Sequence, residues 1–225
     1  MDQLSKNNLS DQIFHLIGNQ IVHNELKPGE QIYETQISKD LGVSRSPVRD
    51  ALRMLEQIWL VDRTPKGNYQ VTALSLDRIL HLYETANVIY QFVFSKAAEN
   101  VTPDDVTDLE QLMAKLEKSI SGNDFELYIT NVTKMAHKIL KIAGNPMIER
   151  IATELMPTAE RVQWASITSM TDQHLTVVTH MRKAYDYIIQ QKPAEAAAAF
   201  KNFCTAHIEV IIDSLNPSAS QKAAR

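Results

Sequence analysis

The stretch that decides the fold of the N-terminal part is LGVSRSPVRDAL, which occupies residues 41–52. Gly42 is expected to end a helix that begins near Glu34, because glycine readily adopts the left-handed conformation found just past helix ends. A new helix then begins near Ser44, a good N-cap residue, with Pro47 in the first turn, where a proline is tolerated. Two helices joined by such a tight turn indicate a helix-turn-helix.

The helix that begins near Ser44 is expected to have two distinct faces. One face is apolar, because aliphatic residues recur at i, i+3, i+4 and i+7: Val48, Ala51, Leu52 and Leu55. A second stripe recurs at i, i+4 and i+8 and consists of Arg45, Arg49 and Arg53. Arginine can bond guanine O6 and N7 in the major groove or clamp a phosphate, so this helix is predicted to bind DNA. The alternative interpretation is an ordinary solvated face.

The neighbouring segments extend this motif on both sides. A helix is expected at 10–26, followed by a short extended piece at 31–33. Strands at 60–63 and 69–71 flank a glycine-containing loop, which is the pattern of a β-hairpin. Helix, short strand, helix, tight turn, helix and hairpin together predict a winged helix-turn-helix.

The remainder of the chain is predicted to be helical. Six segments have helical periodicity: 76–100, 104–121, 124–143, 146–169, 173–191 and 194–214. Thr102-Pro103 and Asn145-Pro146 have the cap-then-proline pattern of helix starts. Pro157 lies inside the fourth segment and is expected to kink or break it. Six helices with short breaks between them favour an antiparallel six-helix bundle.

The predicted fold class is therefore mainly α, with two domains and a tail. The winged helix-turn-helix domain is assigned to residues 1–74, with a linker at 71–75. The helical domain is assigned to residues 75–216, and a polar tail to residues 217–225.

Composition narrows the class of protein. Of the 225 residues, 44% are hydrophobic, which is ordinary for a globular protein. No apolar run approaches the ~20 residues that span a bilayer, and the N-terminus lacks a signal-peptide pattern. The single cysteine, Cys204, excludes a disulfide framework and a cysteine-based zinc module, so we expect a cytoplasmic protein without membrane contact. The formal net charge of −4 does not favour nucleic acid, but local clustering of arginine matters more than the total.

A family resemblance follows from two stretches of the N-terminal domain. Residues 25–30, ELKPGE, and residues 41–52 closely resemble the GntR family of bacterial transcription factors, whose pattern is L-x-P-G and then L-G-V-S-R-x-P-V-R-E-A-L. The helical remainder is similar to the FadR-type C-terminal domain, often called FCD, in its helix count and in the motif at 144–146, GNP. The resemblance implies a homodimeric transcriptional regulator of a palindromic operator, with repression favoured over activation.

The resemblance also implies which residues contact DNA. Arg45 and Arg49 would contact bases, with Arg53 completing the same stripe. The other implied contacts lie at the start of the second helix, at the start of the third and at the wing tip: Thr35, Gln36, Ser44, Ser46, Pro47, Lys66 and Gly67. One departure is that Trp59 stands before the first wing strand, where the family usually has glycine, and this is expected to change how the helix ends.

Many FCD domains hold a divalent metal with one aspartate and three histidines, and zinc, nickel or manganese suits such ligands. His137 matches the first histidine, His180 can be matched to the second, and His207 lies about one turn beyond the place of the third. The position of the aspartate, one turn before His137, is Thr133, a poor ligand. The resemblance thus implies a metal site at His137, His180 and His207, and the alternative is that these histidines line the cavity or lie on the surface without a metal.

A small-molecule effector is expected inside the helical domain. The candidate lining residues are Asn87, Tyr90, His137, Arg161, Trp164 and His180. A guanidinium that faces a bundle interior would seek a carboxylate, which favours a carboxylate effector. The alternative is that the two aromatic residues, Tyr90 and Trp164, are simply core.

Three functions are compatible with this organisation. The leading hypothesis is a regulator whose DNA binding is controlled by the effector, and the second is a constitutive DNA-binding dimer whose helical domain only dimerises. The third, a metalloenzyme with an attached DNA-binding domain, lacks support, because the chain has no glycine-rich phosphate loop, no H-E-x-x-H helix and no nucleophile elbow. An enzyme is therefore not expected.

Overall fold

The computed structural model describes residues 3–166 and 172–215, and the chain forms two units. The first unit contains the residues up to Ser75 together with Pro157–Trp164, and the second contains Leu76–Met156 and the described residues from 165 onward. The predicted polar tail at 217–225 and the end of the helix predicted at 146–169 lie outside the described residues.

The first unit is a winged helix-turn-helix, as the sequence predicts. Its elements are α1 (Gln3–Val22), β1 (Gln31–Ile32), α2 (Glu34–Asp40), α3 (Arg45–Gln57), β2 (Val61–Arg63) and β3 (Tyr69–Val71). The strands form one antiparallel sheet in the order β1-β3-β2, so that β3 lies in the centre. The hairpin register pairs Val61 with Val71 and Arg63 with Tyr69.

The core of this unit is built around the apolar face of α3. All four residues of the predicted stripe are fully buried: Val48, Ala51, Leu52 and Leu55. Helix α1 packs against α3 and contributes Ile13, Ile17 and Ile21 to the same core. Burying a side chain of this size stabilises the folded state by about 1.5–3 kcal/mol, so these contacts hold α3 at a fixed orientation within the unit.

Helices α2 and α3 end in the same hydrogen-bonded turn, the Schellman motif. At the end of α2, the amide of Val43 donates to the carbonyl of Ser38 at 3.0 Å, and Gly42 has a φ of +65°. At the end of α3, the amide of Leu60 donates to the carbonyl of Leu55 at 3.0 Å, and the left-handed residue is Trp59, with a φ of +68°. The unusual Trp59 therefore does not change the motif, but occupies a position that favours glycine.

The second unit is helical throughout its described part. Its elements are α4 (Leu76–Asn100), α5 (Pro103–Ser121), α6 (Phe125–Ala143), the first part of α7 (Pro146–Ser166), α8 (Asp172–Ile189) and α9 (Pro193–Leu215). Helix α4 packs against α6, α8 and α9, while α5 packs against α6 and α8 against α9. The predicted helical bundle is confirmed.

Local chemistry explains where these helices begin. The Thr102 hydroxyl accepts from the amide of Asp105, and the Asp105 carboxylate accepts from the amide of Thr102, which forms a capping box ahead of Pro103. The Asn145 side chain accepts from the amides of residues 147 and 148, before α7. Pro157 lies within α7, which continues to Ser166, so the proline does not break the helix.

We expect Trp59→Gly to stabilise the protein by up to about 1 kcal/mol. A non-glycine residue at a left-handed φ costs about 1–2 kcal/mol, and glycine removes this cost. Glycine also gives the unfolded chain more conformational entropy, which offsets part of the stabilisation. The indole contributes little packing, because Trp59 is 67% exposed. Thermal unfolding followed by circular dichroism should show a rise in Tm. The matched control is Ile58→Gly, at a φ of −100°, which should lower Tm. A lower Tm for Trp59→Gly would contradict the prediction.

Candidate nucleic-acid interface

The three arginines of α3 lie on an exposed face of the helix, offset by roughly a quarter turn from its buried stripe at ~100° per residue. Arg45, Arg49 and Arg53 are all exposed, so the predicted separation of a packed face and a cationic face is present. The Nη1 of Arg53 lies 3.9 Å from the carboxylate of Asp50. Because both side chains are exposed, this ion pair restrains Arg53 only weakly. The face therefore presents three guanidinium groups to solvent over two turns of helix.

Arg49 is held in place by Glu34, the first residue of α2. Its Nε donates to both carboxylate oxygens at 3.2 Å, and its Nη2 donates to Oε2 at 3.0 Å. The pKa of the Arg49 guanidinium is raised, first by these hydrogen bonds and then by the charge of Glu34. The carboxylate uses one edge of the planar guanidinium, which leaves Nη1 and the second hydrogen of Nη2 for another acceptor.

Glu34 is the site residue that sequence reasoning misses. It is 15 positions away from Arg49, so no helical periodicity connects the two side chains. The signal that could have found it is a carboxylate at the first position of α2, whose start lies beside α3 in a helix-turn-helix. Because α2 and α3 pack against each other through a tight turn, a charge at this position falls within reach of the middle of α3.

The polar residues predicted around the arginines are exposed at the starts of α2 and α3. Ser44 is the N-cap of α3, and its side chain makes no cap hydrogen bond. Ser46 and Thr35 are exposed, and Gln36 is exposed but donates to the Asp40 carboxylate at 2.7 Å. Pro47 differs from the rest of the predicted set because it is buried, so its ring packs inside the unit.

The wing is the hairpin of β2 and β3, and backbone hydrogen bonds close the short loop between these strands. The amide of Thr64 donates to the carbonyl of Asn68 at 2.7 Å, and the amide of Gly67 donates to the carbonyl of Thr64 at 2.8 Å. Gly67 has a φ of +84°, a conformation that favours glycine. Lys66 and Gly67 are both exposed, as predicted, and the Arg63 guanidinium lies 5.8 Å from the Tyr69 ring centroid as a further cation on the hairpin.

The predicted effector-lining residues are divided between the two units. In the second unit, Tyr90 is half-buried and stacks on Phe200 with ring centroids 5.4 Å apart, and Asn87 accepts from the side chain of Gln91 at 3.2 Å. His137 is exposed and His180 is half-buried.

Two members of the predicted effector-lining set belong to the first unit. Arg161 and Trp164 lie in the segment of α7 that is grouped with the winged helix-turn-helix. Trp164 packs against the core of that unit, with its ring centroid 5.0 Å from that of His23, and Arg161 is fully buried. Both residues are predicted to line the interior of the helical domain, but the periodicity of a helix shows only that a face is buried and not what covers it.

The histidines implied as metal ligands occupy three different environments. His137 is exposed, His180 is half-buried, and His207 is buried with its ring centroid 5.5 Å from that of Tyr83. Within residues 3–166 and 172–215, no three side chains of His, Cys, Asp or Glu form a group that could hold a metal ion. The described residues therefore do not fit the metal site that the resemblance implies.

Membrane insertion finds no support in the part of the chain that the structure describes. None of its helices combines the length and the apolar character needed to cross a bilayer.

Comparisons with known proteins agree with this arrangement. The family described as "Bacterial regulatory proteins, gntR family" matches residues 9–71, and the FCD domain matches residues 81–209. The HTH-type transcriptional regulator YdhC of Bacillus subtilis is 24% identical over 210 residues, which cover 90% of this chain and 92% of that protein. The HTH-type transcriptional regulator McbR of Escherichia coli is 26% identical over 154 residues, covering 66% and 69%.

Solved structures show the same fold. The structure of E. coli McbR/YncC superposes with a TM-score of 0.78 at 18% identity and covers 92% of this chain and 99% of that one. A GntR regulator from Rhodococcus sp. RHA1 gives a TM-score of 0.73 at 16% identity, with coverage of 90% and 97%. Together with the two domain matches, these findings show that the chain is a DNA-binding transcriptional regulator and not an enzyme, and that it belongs to the GntR family with an FCD domain.

Proposed function

We propose that the arginine face of α3, defined by Arg45, Arg49 and Arg53, enters the major groove of operator DNA. The observation that carries this proposal is the bidentate ion pair in which Arg49 donates from Nε to Oε1 and from Nη2 to Oε2 of Glu34. When the Nε edge of a guanidinium is bonded to a carboxylate, Nη1 and the second hydrogen of Nη2 remain available. These groups can donate two hydrogen bonds to guanine O6 and N7. Because the side chain is held before DNA arrives, less rotamer entropy is lost on binding.

The polar residues near the arginine face position the helix on the duplex. The hydroxyls of Ser44 and Ser46 lie at the N-terminus of α3, where the free backbone amides and the helix dipole favour a phosphate. Thr35 and Gln36 offer hydrogen-bond donors from the start of α2. On the wing, Lys66 supplies charge and Gly67 allows the backbone to approach the DNA closely. Pro47 is buried, so its contribution is to fix the first turn of α3.

The protein acts as a homodimer on a palindromic site. An apolar strip on α4 supports this state, because Val88 is 71% exposed and Phe92, one turn later, is 40% exposed. A second copy that covers this strip would remove both side chains from water. In such a pair, the two copies of α3 must lie about 34–36 Å apart to fit successive major grooves.

The regulator is an effector-controlled repressor in the bacterial cytoplasm. Relatives of the chain include the HTH-type transcriptional repressor RspR of E. coli, 23% identical, and the gluconate operon transcriptional repressor of B. subtilis, 24% identical. The FCD domain is the place for the effector, which acts by favouring one of the conformations that the dimer samples. Operator affinity then depends on how well the favoured conformation fits both half-sites.

Replacement of Arg49 by alanine should abolish specific operator binding without loss of the dimer. One bidentate arginine–guanine contact is worth about 1–3 kcal/mol, and a dimer loses two, so the affinity should fall at least about 30-fold. Gel-shift titration on a DNA fragment selected by the wild-type protein measures this loss, and sedimentation measures the dimer. Arg150→Ala, which removes an exposed arginine from α7, is the control and should bind normally. Unchanged binding by Arg49→Ala would refute the assignment of α3.

Replacement of Glu34 by alanine should lower specificity more than affinity. Arg49 loses its fixed orientation, so operator binding weakens, while removal of a negative charge near the phosphates strengthens binding to random DNA. The ratio of the two affinities should fall about tenfold, since it loses part of one arginine contact in each half-site. Glu34→Gln should retain more of the ratio, because the amide oxygen can still accept. Asp40→Ala removes a carboxylate from the other end of α2 and should leave the ratio of the two affinities unchanged. If Asp40→Ala lowered this ratio as much as Glu34→Ala does, the loss of negative charge alone would explain the result, and the contact with Arg49 would not be needed.

Replacement of Lys66 by alanine should weaken binding to the operator and to random DNA by the same factor. A wing lysine that contacts phosphate contributes no base discrimination, and each such contact accounts for a salt-dependence slope of about one. Titrations at several salt concentrations should therefore show a shallower slope for Lys66→Ala. A change confined to the operator would show instead that the wing contacts bases.

A further inference from the structure

The interior of the second unit contains a cluster of buried tyrosines from three helices. Tyr83 of α4, Tyr128 of α6 and Tyr185 of α8 are each almost fully enclosed. Burial is the main reason that the pKa of each hydroxyl is raised, and the proximity of Tyr128 raises the pKa of Tyr83 and of Tyr185 further. The three phenols are therefore neutral neighbours that can donate or accept hydrogen bonds.

Two polar groups in this region lack a hydrogen-bond partner among the described residues. They are the Tyr83 hydroxyl and the amide nitrogen Nδ2 of Asn131. Asn131 is 2% exposed and lies one turn after Tyr128 on the buried face of α6, and Tyr83 is 6% exposed. Buried donors without an acceptor oppose folding, so their presence in an interior needs an explanation. An acceptor supplied by a bound molecule provides one.

Aromatic or weakly polar groups lie against Tyr83 and Tyr185. The ring of His207 meets the ring of Tyr83 edge to face at 5.5 Å, and Phe94 stacks on Tyr185 at 5.6 Å. The thiol of Cys204 donates to the backbone carbonyl of Tyr83 at 3.7 Å, and burial raises the pKa of that thiol to about 11, so it carries no charge. Such neighbours favour a planar ring.

The charge content of this interior decides the class of ligand. Among the described residues of the second unit, none of the buried side chains is a lysine, arginine, aspartate or glutamate. The buried Arg161 belongs to the first unit. A carboxylate placed beside Tyr83 and Asn131 would lose its hydration with no buried lysine or arginine among the described residues of this unit to compensate it, and an uncharged acceptor avoids that cost.

We propose that the interior of the second unit, around Tyr83 and Asn131, binds a neutral planar molecule that accepts hydrogen bonds. The ligand is thus neither the carboxylate expected from an inward-facing Arg161 nor the divalent metal that the family resemblance implies. This inference rests on the proposed function, in which the helical domain holds the effector. It adds the chemical class of that effector and the two groups that recognise it.

Thermal-shift titrations of the full chain with matched pairs test the charge selectivity. Benzamide and nicotinamide are neutral, and benzoate and nicotinate are their anionic counterparts of nearly the same size. We expect at least one amide to raise Tm at millimolar concentrations and its anionic counterpart to have little effect. Zn²⁺, Ni²⁺ and Mn²⁺ should not raise Tm. Stabilisation by a carboxylate or a metal that equals or exceeds that by the amides overturns the proposal, and so does the absence of any shift with both amides.

Variants of the two donors provide a test that does not depend on the choice of probe. In the absence of ligand, Tyr83→Phe and Asn131→Leu should leave Tm unchanged or raise it by about 2–4 °C, because each removes a buried donor without an acceptor. Both variants should lose the shift with amides. Tyr187→Phe, which removes a hydroxyl from a half-buried tyrosine on α8, is the control and should keep that shift. A clear fall in Tm for Tyr83→Phe shows that the hydroxyl is already bonded and overturns the proposal.

The design separates failure of this inference from failure of the proposed function. Neither thermal measurement involves DNA, so a negative result leaves the roles of Arg49 and Lys66 untouched. An amide that binds and loses its effect in Asn131→Leu, yet does not alter operator affinity in a gel shift, supports the ligand site and contradicts effector control.

Discussion

The packing of α3 against α1 is the contact on which the DNA-binding unit depends. A helix repeats every 3.6 residues, so complete burial of Val48, Leu52 and Leu55 determines where every other side chain of α3 lies. Arg45, Arg49 and Arg53 are exposed because their face lies roughly a quarter turn away from the covered one. Loss of the apolar contacts would leave the same arginines on a helix of undefined orientation, and their spacing would no longer match that of base edges.

The turns at the helix ends carry this orientation to the neighbouring elements. The Schellman turn at Gly42 reverses the chain between α2 and α3 and brings Glu34 to within hydrogen-bonding distance of Arg49. The same turn at Trp59 redirects the chain into the wing, and its hydrogen bond from Leu60 to Leu55 joins two core residues. A residue other than glycine is tolerated there because those bonds and the burial of Leu60 hold the backbone in the left-handed conformation.

Sequence reasoning succeeds where the information is local and fails where it is not. The apolar stripe of α3, the helix start at Thr102-Pro103 and the glycine of the hairpin loop at Gly67 each depend on residues within a few positions of one another, and each is predicted from spacing or residue type. The pair of Glu34 and Arg49 depends on two elements meeting in space. The placement of Trp164 depends on which unit its part of α7 joins, and helical periodicity is the same in either case.

The two units use polar groups in opposite ways, and this difference constrains how the protein works. The first unit places arginines on its surface, where water solvates them until phosphates and bases replace that water. The second unit buries phenols and one amide, with no lysine, arginine, aspartate or glutamate among its described buried residues, so it favours a ligand by shape and by hydrogen bonds. A neutral ligand adds no net charge to the helical unit. Such a ligand must then change the affinity for DNA by favouring one conformation of the protein, since it adds no charge that would attract or repel the phosphates.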